Sequence, residues 1–182
     1  MKLNCSPTLA MSILMALIFA SACATAAPFK IVCTTSVLMD PATYIGGDRV
    51  EAISIADPTL CPHLQSDIIP SRIQLNMDFI KDADLFMAYN DSNDQKYNIP
   101  AVNDFMKANN YGEVSWNTTS NPSRGWNTPE NARLLAGEVA GWLEKFDPEN
   151  KSYYEERYGD YSKTFDAVEP NDAEKKKLNQ TQ

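Results

Sequence analysis

The stretch Lys30-Ile-Val-Cys-Thr-Thr-Ser-Val37 decides the fold, because an apolar, β-branched run leads directly into three hydroxyl side chains. Such a run is typical of a strand that is buried on both faces of a sheet. Three more short apolar segments follow at residues 50–55, 85–89 and 113–116. Strands that are separated by helices pair in parallel. The sequence therefore predicts an α/β fold with a four-stranded parallel sheet flanked by helices.

Apolar residues recur at helical spacing between these strands and after the last one. One helix is predicted to begin at Pro70-Ser71 and to run to Lys81, and another covers residues 102–106. Thr128-Pro129-Glu130 combines a hydroxyl cap, a proline and an acid, which is a helix start signal that Asp147-Pro148-Glu149 repeats. The second signal predicts a long C-terminal helix. The remaining polar segments, predicted to be loops, are 56–69, 90–98 and 117–127.

The N-terminal segment is predicted to lie outside the fold. Residues 1–27 combine a single lysine, an apolar run and small residues that end in an Ala-x-Ala pattern, which is typical of a secretory signal. Cleavage there would release the protein into the periplasm or the medium. An alternative is a lipid anchor at Cys23, because Ala20-Ser21-Ala22-Cys23 resembles a lipoprotein box.

Composition excludes several classes of function. The net charge of −8 over 182 residues argues against a nucleic-acid partner, which would normally meet a basic face. A single histidine excludes any metal cage that needs two imidazoles. Glycine-rich phosphate loops are absent from the sequence. No spacing suggests a catalytic acid pair or a Ser-His-Asp triad, so an enzyme is not predicted.

Polar candidates collect where the predicted strands end, which is where ligands bind in parallel α/β sheets. Cys61 and His63 are two residues apart and would point the same way in an extended chain. Together with Cys33 they could offer soft ligands to zinc or copper, or the two cysteines could form a disulfide. The other candidates for this cleft are Thr34, Thr35, Asp91, Asp94 and Arg124. Arg124 with the hydroxyl groups could instead bind an anion.

Several segments, taken in order, resemble one known family. They are Ile31-Val-Cys-Thr-Thr-Ser-Val-Leu38, Ile45-Gly-Gly-Asp-Arg-Val-Glu51, Pro62-His63, Ala83-Asp-Leu85, Tyr89-Asn90, Trp126-Asn-Thr-Pro-Glu-Asn-Ala132 and Phe146-Asp-Pro-Glu-Asn-Lys-Ser-Tyr-Tyr154. This series resembles the substrate-binding proteins of bacterial zinc and manganese ABC transporters, of the cluster A-I type. The resemblance implies an N-terminal lobe at residues 28–147, a linking helix at 148–170 and a polar tail at 171–182.

The resemblance also implies a function and marks where this chain departs from it. His63 would be a metal ligand and Cys61 a second one. The cargo would be zinc or manganese, with copper as an alternative. The partner would be an ABC permease. The family has a second histidine where this chain has Arg124, and its remaining ligands belong to a second lobe. We therefore expect a reduced or altered site. The alternative is a single-lobe periplasmic accessory protein that has lost metal transport.

The C-terminal helix carries an aromatic stripe with spacings of 4, 3, 4 and 3. Such a stripe usually packs on a core. In a lone lobe, an under-covered stripe would instead form the contact of a homo-oligomer, or of a complex with another periplasmic or membrane protein. Its members are Tyr154, Tyr158, Tyr161, Phe165 and Val168.

Overall fold

A computed structural model describes residues 27–61, 64–120 and 126–167. The strands are β1 (Phe29–Cys33), β2 (Val50–Ser54), β3 (Leu85–Ala88) and β4 (Trp116–Thr118). The helices are α1 (Ser36–Gly46), α2 (Gln65–Leu75), α3 (Met77–Lys81), α4 (Ile99–Ala108), α5 (Pro129–Phe146) and α6 (Lys151–Asp166). Single helical turns occupy Gly47–Arg49, Asp94–Asn98 and Pro148–Asn150.

The four strands form one sheet in the order β2-β1-β3-β4, and every pairing is parallel. β1 is central, so its side chains are buried on both faces. Ile31 and Cys33 pack with α1, α5 and α6 on one face, whereas Val32 packs with α2 and α4 on the other. The predicted α/β class, with a four-stranded parallel sheet flanked by helices and a C-terminal helix, is confirmed.

Four predicted boundaries are wrong. The run that begins at Lys30 leaves the sheet after Cys33, because Ser36 already starts α1. α2 begins at Gln65, well before the predicted start at Pro70, and its proline lies inside the helix. The last strand covers Trp116–Thr118 instead of residues 113–116, because Phe86 pairs with Trp116. Residues 90–98 were predicted to be a loop but contain a π-helical turn.

The helix start at Thr128 is confirmed, since its side-chain oxygen accepts a hydrogen bond from the Asn131 amide at 3.2 Å. α6 begins at Lys151, two residues after the second start signal ends at Glu149, and lies within the predicted bounds of 148–170. It packs against α5 and α1. Val168, the predicted signal at 1–27 apart from residue 27, and the tail at 171–182 lie outside the described residues.

The aromatic stripe of α6 is partly covered by the lobe. Tyr154 is fully buried, while Tyr158 and Tyr161 are partly buried against the same core cluster. A homo-oligomer contact through the partly buried remainder of the stripe stays a prediction. Among the described ranges, no helix is long and apolar enough to cross a membrane.

Candidate functional site

The carboxyl ends of all four strands meet at one edge of the sheet. The Thr34 amide donates to the Met87 carbonyl at 3.0 Å, and the Ala56 amide donates to the Thr34 carbonyl at 2.9 Å. The Thr119 hydroxyl donates to the Tyr89 carbonyl at 2.6 Å. We call this edge the mouth, and its described part comprises residues 34–36, 56–61, 89–94 and 119–120.

A buried carboxylate organises the floor of the mouth. Asp94 is inaccessible to solvent, and its Oδ2 accepts from the Thr34 hydroxyl at 2.6 Å and from the Asn90 amide at 2.7 Å. Its Oδ1 accepts from the Asn98 side-chain amide at 2.7 Å. The same Thr34 hydroxyl accepts from the Tyr89 amide at 3.1 Å. This network fastens the segment after β3 to the end of β1.

The network leaves Asp94 poorly suited to bind a ligand. Burial raises the pKa of its carboxyl group, and the hydrogen bonds from Thr34, Asn98 and Asn90 oppose that rise. Three donors already satisfy its two oxygens. Asp94 therefore acts as a structural anchor below the mouth in the described structure, and its predicted role as a cleft ligand is not supported by this geometry.

Asp91 explains why the segment after β3 is helical. Its Oδ1 accepts from the amides of Asn93 and Asp94, both at 2.9 Å, as a capping side chain does. Asn90 just before it has a φ of 63°, a left-handed conformation that asparagine tolerates well. The polar composition of residues 90–98 favours a loop over a helix. Asp91 is the cap signal from which the turn could have been predicted.

The loop after β2 is held by two residues of α2 that the sequence did not single out. Arg72 donates from Nε to the Ile55 carbonyl at 2.7 Å and forms an ion pair with Asp57 at 3.2 Å. Gln65 exchanges hydrogen bonds with the Asp57 backbone at 2.9 and 2.7 Å. The Thr59 side chain and amide lower the pKa of Asp57, with a smaller contribution from Arg72. These contacts fix the start of the loop that carries Cys61.

The two cysteines do not form the predicted bridge in this structure. Both are free thiols, and Cys33 is buried on β1 whereas Cys61 is exposed in the loop. Burial strongly raises the pKa of Cys33, which disfavours the thiolate that a metal needs. Cys61 is consequently the more accessible thiol for a metal at the mouth.

Thr35 stands at the start of α1 with a backbone conformation suited to a cap, but its side chain caps nothing. Its hydroxyl oxygen is buried and has no hydrogen-bond partner among the described residues. His63 and Arg124 lie outside the described residues. Within the described ranges, no group of three or more metal-ligating side chains comes together.

The sequence profile of one family, the periplasmic zinc-uptake complex component A (ZnuA), matches residues 31–182. The chain belongs to this family. By its description, the family comprises a periplasmic component of zinc uptake. No curated protein matches the chain.

Solved structures share the fold at low sequence identity. A zinc-bound ZnuA deletion mutant gives a TM-score of 0.58 at 16% identity, with 78% of this chain and 56% of that chain covered. The zinc-bound ZnuA-like domain of AdcA from Streptococcus pneumoniae gives 0.56 at 16%, with 78% and 53% covered. The metal-dependent lipoprotein YcdH from Bacillus subtilis gives 0.53 at 17%, with 77% and 53% covered. This chain thus spans roughly half of each of these structures.

Proposed function

We propose that this protein is the exported metal-ion-binding component of an ABC uptake system, with zinc or manganese as cargo and a reduced site at the mouth. The observation that carries the proposal is family membership across residues 31–182 combined with the mouth described above. His63 would be the principal ligand and Cys61 an additional one, because both follow β2 in the loop that Arg72 and Gln65 hold.

The chemistry of the mouth sets a limit on affinity. Zinc is normally held by three or four protein ligands. Here Cys33 is buried, and Asp94 is saturated with donors. We therefore propose weak binding by the isolated chain, strengthened when a partner such as the permease supplies further ligands.

Isothermal titration calorimetry with zinc and manganese tests this proposal. We expect His63→Ala to abolish the heat of binding and Cys61→Ser to weaken zinc more than manganese, because sulfur is the softer ligand. Asp104→Asn, an exposed acid on α4, is the matched control and should behave as the wild type. Equal binding by the wild type and His63→Ala would refute the assignment of the ligand.

The alternative function is a single-lobe periplasmic accessory protein that no longer transports metal. It is favoured by Arg124, an arginine at the position where the resemblance implies the family's second histidine. Light scattering with and without zinc separates the two. If the protein associates only when zinc is added, the result supports the uptake component. If it forms the same complex with and without zinc, and calorimetry shows no heat of zinc binding, the result supports the accessory role.

Export itself can be tested independently of the metal. We propose that the segment 1–27 is a signal that is removed, with lipidation at Cys23 as the alternative. The mass of the protein recovered from the periplasm or from the membrane distinguishes a cleaved chain that begins after the Ala-x-Ala pattern from a lipid-modified chain that begins at Cys23.

A further inference from the structure

A cavity lies next to the mouth, between α1, α5 and α6. Its volume is about 620 Å³, which is within the usual range for small-molecule sites. α1 contributes Asp40, α6 contributes Tyr161 and Phe165, and Trp126 closes one side before α5 begins. We call this cavity the aromatic groove.

Trp126 is the most exposed ring of the groove, and Tyr161 and Phe165 are partly buried. Trp126 remains 54% exposed, an unusual state for a side chain of this size. Tyr161 and Phe165 meet edge to face, with ring centroids 5.1 Å apart and an interplanar angle of 79°. Three aromatic side chains thus line one cavity, and aromatic rings attract ammonium groups through their faces.

The charge of the groove favours a cation. Asp40 is the charged residue among the described lining residues. Its Oδ2 accepts from the Tyr161 hydroxyl at 2.9 Å. Burial, followed by the hydrogen bond to Asp40, raises the pKa of Tyr161, so this phenol stays protonated and the net charge of the pair is that of the carboxylate.

The protein already places one of its own cations on a ring of this groove. The Arg133 guanidinium lies 5.9 Å from the centre of Phe165 and is paired with Asp166 at 2.7 Å. The ion pair with Asp166 offsets the charge of Arg133, so the Arg133 guanidinium does not cancel the charge of Asp40. The ring face of Phe165 is thus suited to a cation at this distance.

We propose that the aromatic groove binds a small organic cation, an ammonium group that carries apolar substituents. The positive group contacts the Trp126 and Tyr161 rings near Asp40, and the apolar substituents lie against the prolines and leucine of the walls. The groove adjoins the mouth, with which it shares Ser36 and Pro58, and its ligand is held without a bound metal.

An NMR titration with choline tests the proposal, with 3,3-dimethylbutan-1-ol as the uncharged probe of nearly the same shape. We expect the methyl protons of choline to shift on binding, and the alcohol to bind about two- to fivefold more weakly, as expected for an exposed cation–π contact. Asp40→Asn and Trp126→Leu should each weaken choline by a similar factor of about two to five.

Asp48→Asn is the matched control, because Asp48 also accepts from a tyrosine of α6, at 2.8 Å from the Tyr153 hydroxyl, but lies outside the groove. It should leave choline binding unchanged. The proposal is overturned by equal binding of the two probes, by equal effects of the Asp40 and Asp48 variants, or by no shift of choline. Circular dichroism checks that each variant is folded. If Trp126→Leu does not fold, the Asp40→Asn variant alone decides the test.

Discussion

Removal of the Asp94 carboxylate is the most informative perturbation of the mouth. In Asp94→Ala, the Thr34 hydroxyl, the Asn90 amide and the Asn98 side-chain amide lose their acceptor. A buried group left without its partner costs about 1–3 kcal/mol. Since two of the three donors are side chains that can turn elsewhere, we expect a loss of about 3–6 kcal/mol from the free energy of unfolding.

Asp94→Asn keeps the shape and isolates the role of charge. Its amide nitrogen can donate to the Asn98 Oδ1, which is buried and unpartnered among the described residues. We expect a cost of less than about 1.5 kcal/mol, because weaker neutral hydrogen bonds are offset by the removal of a buried charge. Urea unfolding followed by circular dichroism measures both variants, with Asp104→Ala as the exposed control, expected within about 0.5 kcal/mol of the wild type.

The pH dependence follows from the raised pKa of Asp94, whose ordinary value is 3.8. Between 3.8 and the raised pKa, the folded protein holds a proton that the unfolded chain has lost, so stability falls as pH rises through that interval. Asp94→Asn lacks this contribution and should gain relative to the wild type over the same interval. An alanine variant that costs less than about 1 kcal/mol, or parallel pH profiles of the wild type and Asp94→Asn, would refute the reasoning.

Three further predictions concern other parts of the lobe. Gly46→Ala should destabilise the protein because its new Cβ would overlap the Val50 side chain, whereas Gly141→Ala, with open space around it inside α5, should stabilise it by about 0.5–1 kcal/mol in thermal unfolding. Arg157→Lys should lower the free energy of unfolding by about 1–3 kcal/mol, because one ammonium cannot reproduce the forked hydrogen bonds to the last carbonyls of α1. An unchanged Tm would contradict this. In protein prepared without residues 1–26, a thiol reagent should label the exposed Cys61 in the native state and the buried Cys33 only after unfolding. A mass change with reductant alone would reveal a bridge.

The number and parallel direction of the strands could be predicted from sequence, because buried β-branched runs carry a strong signal and helices separate them. Ile31 and Val32 are both fully buried, on opposite faces of the sheet. The last strand was misplaced because β4 is an edge strand with a polar sequence, and its position depends on pairing with β3. Pairing partners are distant in sequence, so no local pattern reveals them.

The carboxyl ends of the strands meet at one edge of the sheet as predicted, and the ligand roles of the residues at that edge stay predictions. Asp94 was a candidate for the cleft by its position after β3, whereas its hydrogen bonds turn it inward. Arg72 was overlooked because an arginine on a helix is usually a solvated charge, and its bonds to the end of β2 depend on tertiary packing. His63 as a ligand stays a prediction.

The central position of β1 has a consequence for the order of events during synthesis. β1 is the first strand to be synthesised, and its neighbours in the sheet, β2 and β3, are synthesised later. Tyr154 of α6 completes the core on one face of β1. Contacts that span most of the chain slow folding, because the ends must meet before any stabilisation is gained. The core cluster that contains Tyr154 is therefore completed only after α6 has been made, whereas the cluster on the other face of the sheet needs no residue beyond β4.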